Sequence, residues 1–135
     1  MPVYVLDANA VLDLIEQAPG FQKVQHLLES ALHRRTFLFV SVMNLGDVFD
    51  WLWPRVGEEK ARVTLASLSR LPLQIVPVDL SQALKAGELK ALHKIPYVDC
   101  IAAALALQQS ATLVTADRHF EKLGRNFPIL WLTRP

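Results

Sequence analysis

Four aspartates, Asp7, Asp47, Asp99 and Asp117, are the residues of this chain whose type and setting suit chemistry. Asp7 follows the apolar run Val3-Tyr4-Val5-Leu6, and Asp99 is flanked by Val98, Cys100, Ile101 and the alanines Ala102 to Ala104. An ionised carboxylate set among core-forming residues is costly unless it is paired or bound to a cation. Asp117 closes the run Leu113-Val114-Thr115-Ala116-Asp117, and Asp47 lies six residues beyond Ser41. Held close together, such groups repel, and some protonate unless a cation neutralises them. Oxygen donors without a His or Cys cluster suit Mg²⁺ or Mn²⁺. His26, His33, His93 and His119 are scattered with no metal-ligand spacing, which argues against zinc. Each aspartate also has a plain structural reading. Asp7 can be a turn residue, Asp99 a first-turn carboxylate favoured by the helix dipole, and Asp117 a cap for the residues after it.

The elements that position them alternate along the chain. Val3 to Leu6 reads as a strand covered on both faces. Asn9 is placed to cap a helix from Ala10 to Glu16, which Pro19-Gly20 ends. Apolar residues at helical spacing predict an amphipathic helix over Gly20 to Arg34. Phe37 to Val40 is a second strand, and Ser41 is a cap for a helix over Val42 to Trp53, stopped by Pro54 and Gly57. A helix over Glu58 to Arg70, a strand near Leu73 to Val78, and a helix begun by Asp79 or Ser81 and running to Lys94 follow. Pro96 interrupts, and Val98 to Gln109 is helical. Thr112 to Thr115, a short helix over Arg118 to Leu123, and Ile129 to Leu132 complete the series. Strand followed by helix, repeated, implies an α/β fold with a central parallel sheet of about five strands and helices on both faces. In such sheets ligands bind beyond the carboxyl ends of the strands, near a switch in strand order. Asp7 and Asp117 both fall at that rim, and Asp47 sits about two turns into the helix leaving the second strand. Asp99 falls in the first turn of the helix leading to the fourth strand, so the four converge only if their strands are neighbours.

Composition narrows the possibilities. A chain of 135 residues, 52% hydrophobic and 20% charged, is the size of one domain and can bury a core. No apolar run reaches the roughly 18 residues of a membrane span. The amino terminus has no signal-peptide pattern, and the single Cys100 has no disulfide partner, so the cytoplasm is the expected location. The formal net charge of +1 is not that of a protein that coats nucleic acid. Any RNA contact must come from local clusters: His33-Arg34-Arg35, Lys90 with His93 and Lys94, or Arg118, Lys122 and Arg125. Each also reads as a solvated helix face or end. Trp51 and Trp53 read as core residues, with a dimer or partner groove as the other possibility.

Four segments, taken in order, resemble the motifs of the PIN-domain ribonucleases. Val5-Leu6-Asp7-Ala8-Asn9-Ala10-Val11-Leu12 is similar to the opening motif, and Ser41-Val42-Met43-Asn44-Leu45-Gly46-Asp47-Val48 to the second. Tyr97-Val98-Asp99-Cys100-Ile101-Ala102-Ala103-Ala104 resembles the third, Leu113 to Phe120 the fourth, and Ile129 to Leu132 the closing strand. The resemblance spans residues 1–135 as one PIN domain and is nearest to the VapC-like toxins of toxin–antitoxin modules. It implies a ribonuclease dependent on Mg²⁺ or Mn²⁺, with Asp7, Asp99 and Asp117 at the metal and Asp47 among the catalytic residues. Asn9 and Thr115 are then supports that orient the carboxylates or their waters. An antitoxin partner and a homodimer are implied as well. At the position of Asp47 the family usually carries Glu, one methylene longer, so Asp47 is expected to reach metal through water unless its helix sits closer. A carboxylate-bound metal suits phosphodiester hydrolysis.

Other readings fit less of the chain. A haloacid-dehalogenase-like phosphatase wants a second Asp two residues after the first, where this chain has Asn9, and a receiver domain wants paired acids there. A PIN domain that binds RNA or protein without cutting is the non-enzymatic alternative.

Overall fold

The computed structural model describes residues 1–133. Its strands are β1 (Val3–Leu6), β2 (Phe37–Ser41), β3 (Gln74–Val76), β4 (Thr112–Thr115) and β5 (Ile129–Trp131). Its helices are α1 (Ala8–Glu16), α2 (Phe21–Leu32), α3 (Val42–Val56), α4 (Glu58–Leu68), α5 (Leu80–His93) and α6 (Tyr97–Gln108), with a 3₁₀ helix over Arg118–Leu123. The five strands form one all-parallel sheet in the order β3-β2-β1-β4-β5. The chain builds outward from β1 to β3 and then crosses to β4 on the other side of β1. The switch in strand order therefore falls between β1 and β4, the strands that Asp7 and Asp117 follow.

Alternation along the strands divides the core in two. Leu6, Leu38, Val40 and Val114 point to the face covered by α1, α2, α3 and α4. Val5, Leu113, Phe39 and Ile129 point to the face covered by α5 and α6. This is the parallel sheet with helices on both faces that the strand–helix alternation predicts. Helix α6 is buried at every position from Cys100 to Ala106. Its alanines let it lie close to the sheet and to α5, and such all-round burial marks a helix inside the domain rather than on it.

Two local expectations need correction, and one open alternative is resolved. Asp7, not Asn9, caps α1: its Oδ1 accepts from the Ala10 backbone N–H at 2.8 Å, and Asn9 lies inside the helix. Pro54 does not stop α3, which runs on to Val56. A proline near a helix end forfeits one backbone bond, and the stop comes at Gly57, whose φ of 85° suits glycine. Asp79 rather than Ser81 starts α5, with its carboxylate accepting from Gln82 N–H at 2.7 Å.

Candidate metal centre

Parallel register brings the ends of three strands level. Leu6 pairs with Val40 on one side and with Val114 on the other, so Asp7, Ser41 and Thr115 emerge side by side. Asp7 is only 2% exposed and its backbone N–H donates to the Val114 carbonyl at 3.3 Å. Both of its carboxylate oxygens are engaged. Oδ1 caps α1, and Oδ2 accepts from the Thr115 hydroxyl at 2.5 Å. Thr115 Oγ1 in turn accepts from the Asp117 backbone N–H at 2.9 Å. A hydroxyl donates once and accepts twice, so this buried side chain ties Asp7 to the backbone of Asp117. Asn9 Oδ1 accepts from the Ala116 N–H at 2.8 Å, pinning the residue between them. Asn9 thus holds the backbone rather than a carboxylate.

Asp117 and Asp99 meet on the open side. Asp117 Oδ1 caps the 3₁₀ helix by accepting from the His119 N–H at 2.9 Å, which is the plain capping role, and Oδ2 is left over. Asp99 stands in the first turn of α6, where the aligned backbone N–H groups favour a carboxylate. One donor atom each from Asp99, Asp117 and His119 lie within 4.8 Å of one another. The imidazole Nδ1 of His119 is 3.2 Å from Asp117 Oδ1 and 4.0 Å from Asp99 Oδ2. Asp47 is exposed on α3 and outside this group, yet its charge reaches Asp99.

The electrostatics are those of crowded acids. Burial pushes the Asp7 carboxyl up to about 7, against the hydrogen bonds from Thr115 and Ala10, and the charges of Asp99 and Asp117 add to the rise. Burial, then the Asp117 carboxylate, raise Asp99 to about 6; His119 opposes this, and Asp47 reinforces it. Asp47 is raised by partial desolvation and by Asp50. Among the described residues no Lys or Arg lies within 4.0 Å of Asp7, Asp47, Asp99 or Asp117. Negative charge gathered without a basic partner, from hard oxygen donors, fits a divalent cation.

His119 is the residue that the sequence did not single out. It lies two residues after Asp117 in the chain, but its approach to Asp99 depends on packing α6 beside β4. Asn44, one turn before Asp47, is fully buried with neither side-chain polar atom hydrogen-bonded, a second feature invisible in the sequence. A concavity of about 520 Å³ opens at the opposite rim between Met1, Arg34, Phe37 and Gln74, and among the described residues no carboxylate or imidazole lines it.

A doubly wound parallel sheet with an acidic cluster at its switch point defines the class: an α/β domain with its candidate site at the carboxyl rim. The chain belongs to the PIN domain family, whose model matches residues 4–126. The dehalogenase-like and receiver-like alternatives fall away with that match. Comparison with curated protein sequences gives no match. Among solved structures, VapBC2 from Rickettsia felis bound to a promoter DNA fragment is similar with a TM-score of 0.76 at 21% identity, over 95% of this chain and 97% of that one. DNA-bound VapBC from Salmonella typhimurium gives 0.76 at 16% identity, over 98% and 100%. VapC20 from Mycobacterium tuberculosis, a sarcin–ricin-loop-cleaving toxin, gives 0.65 at 17% identity, over 90% and 95%. At such identities the likeness is one of fold. Among the described residues no helix is long and apolar enough to cross a membrane.

Proposed function

We propose that residues 1–135 form one PIN domain that acts as an endoribonuclease dependent on Mg²⁺ or Mn²⁺, the toxin half of a toxin–antitoxin pair working in the cytoplasm. The observation that carries this reading is the meeting of Asp99 and Asp117 beside the buried Asp7, with no Lys or Arg among the described residues within 4.0 Å to offset them. Asp7, Asp99 and Asp117 would hold the cation, with Asp47 acting on it through water. When bound, such a cation activates water and offsets charge on a phosphodiester.

The chain's own residues do the rest. Asp7, locked by Ala10 and Thr115, fixes one wall of the site without needing to move when substrate arrives. Asn9 and Thr115 hold the Ala116–Asp117 backbone so that the Asp117 carboxylate stays aimed at Asp99. Lys122 Nζ donates to the Lys94 carbonyl at 3.4 Å, gathering Lys94 and Lys122 at the edge where α6 begins. Both are exposed, as is Lys90 a turn earlier on α5, and they supply local positive charge for an RNA backbone that the net charge of +1 does not. Arg118 belongs to the scaffold instead: it donates to the Thr133 carbonyl at 2.6 Å and stacks on Trp131. Leu80, Leu84 and Leu92 on α5, with Trp53, Val56 and Val63 on α3 and α4, are exposed and offer apolar surface for an antitoxin and a second copy.

The test is cleavage of structured RNAs by the purified chain in Mg²⁺ or Mn²⁺, with a chelator control and mapped cut sites. Asp99→Asn and Asp117→Asn are each expected to lower the rate by more than about 100-fold, beyond the loss typical of a residue that merely supports a metal ligand. RNA binding without metal-dependent cutting would overturn the enzymatic reading and leave the non-cutting one.

A further inference from the structure

We propose that the His119 imidazole is itself a ligand of the cation held by Asp99 and Asp117, and that it biases the site towards Mn²⁺ over Mg²⁺. The proposal rests on the metal-dependent reading above and adds a nitrogen donor to it.

The geometry is the first support. For donors about 2.1 Å from one octahedral ion, neighbouring donors lie about 3.0 Å apart and opposite ones about 4.2 Å apart. His119 Nδ1 is 3.2 Å from Asp117 Oδ1 and 4.0 Å from Asp99 Oδ2. Those separations match one ion's coordination sphere with little rearrangement.

The second support is that the position of His119 is fixed by the fold. Its backbone N–H is held by Asp117 Oδ1 at 2.9 Å, and the next residue, Phe120, is fully buried in the core under α6. The backbone is thus anchored on both sides, while the imidazole is about half exposed. An exposed side chain held over two carboxylates, on a backbone that cannot drift, is the arrangement expected of a ligand that must not bury an unmet charge.

Ligand chemistry sets the preference. An imidazole nitrogen adds affinity for first-row transition ions, least for Mn²⁺ within that series but still more than for Mg²⁺, which is bound by oxygen and keeps its waters. A mixed oxygen and nitrogen set discriminates in favour of Mn²⁺; removing the nitrogen makes the two ions more nearly equal.

The experiment uses the full chain, Mn²⁺ and Mg²⁺ alone, and no RNA. Pulsed electron paramagnetic resonance of the Mn²⁺-loaded protein reads coupling to directly bound ¹⁴N, and calorimetry reads both affinities. The wild type is expected to show the ¹⁴N coupling. His119→Gln is expected to lose it, to bind Mn²⁺ at least about 10-fold more weakly, and to bind Mg²⁺ within about 3-fold of the wild type. His119→Asn serves as a second variant, and thermal melting confirms that each is folded. Bound Mn²⁺ without ¹⁴N coupling, or coupling that survives in both variants, overturns the role of His119 and leaves the proposed nuclease standing. Failure of the wild type to bind Mn²⁺ at all overturns both.

Discussion

Asp7 and Asp99 sit at the same rim, both with raised pKa, but they are held in opposite ways. Asp7 is sealed in, with each oxygen committed to a donor from another element, Ala10 on α1 and Thr115 on β4. Asp99 has about a fifth of its side chain open, and its neighbours are charges rather than hydrogen bonds: Asp117, His119 and Asp47. The sealed half is a frame whose geometry is set when the sheet forms. The open half is a set of charges that a ligand can rearrange. One cluster of like residues thus divides into a part that orients and a part that responds.

The sharpest way to break this contrast is Asp7→Asn. The folded state holds the Asp7 proton up to about 7, against 3.8 for the free group, so between those values it binds more protons than the unfolded chain. Stability of the metal-free protein is therefore expected to fall as pH rises from about 4 to 7, and to stay low above that. Asn removes the charge, and the Thr115 hydroxyl can turn to accept from its amide. Asp7→Asn should flatten the pH dependence and raise the melting temperature at pH 8 by about 5 °C or more. It should also abolish metal-dependent cleavage, by more than about 100-fold. A variant that stays active, or that melts lower at pH 8, would show that Asp7 is an ordinary cap.

Thr115→Val tests whether the frame transmits to the open half. It strips a donor from Asp7 and an acceptor from the Asp117 N–H at nearly constant volume. The expected cost is about 1–3 kcal/mol in denaturant unfolding, the penalty of leaving buried partners unmet. Metal affinity should fall about 10–100-fold, as for loss of a residue that orients a ligand. Lost stability with unchanged metal affinity would separate the two halves altogether.

The smallest effect is expected at Asp47, exposed and outside the Asp99, Asp117 and His119 group. Asp47→Ala should weaken metal binding about 10-fold and recover activity at high metal concentration. Asp47→Glu, one methylene longer, should match or exceed the parent. Metal titrations of the cleavage rate that superimpose for Ala, Glu and parent would leave Asp47 a solvated helix residue.

Much of this was legible before the structure. The apolar runs at Val3, Phe37 and Thr112 and the caps Ser41 and Asp79 mark their elements locally, because strand burial and capping depend on adjacent residues. The α1 cap was misplaced by two residues, since Asp7 and Asn9 are equally good capping types and only the Ala116 N–H, over a hundred residues away, claims Asn9. Pro54 misleads for a different reason: proline deletes its own N–H bond but not those of the residues after it, so Gly57 N–H still donates to the Trp53 carbonyl and the helix ends only where Gly57 turns the backbone away.

The order of elements, the parallel α/β class, and the placing of Asp7, Asp99 and Asp117 at element ends with Asp47 within a helix can all be read from the linear chain, because they follow from short-range periodicity and residue type. Tertiary structure alone decided how those aspartates divide. Neighbouring β1 and β4 bring Thr115 to Asp7, so one carboxylate is sealed and tied. Packing α6 beside β4 brings Asp99 to Asp117 and to His119, one of four scattered histidines whose spacing in the chain shows no ligand pattern. Desolvation and charge crowding are properties of a place rather than of a residue, and the place exists only once distant segments have closed around it.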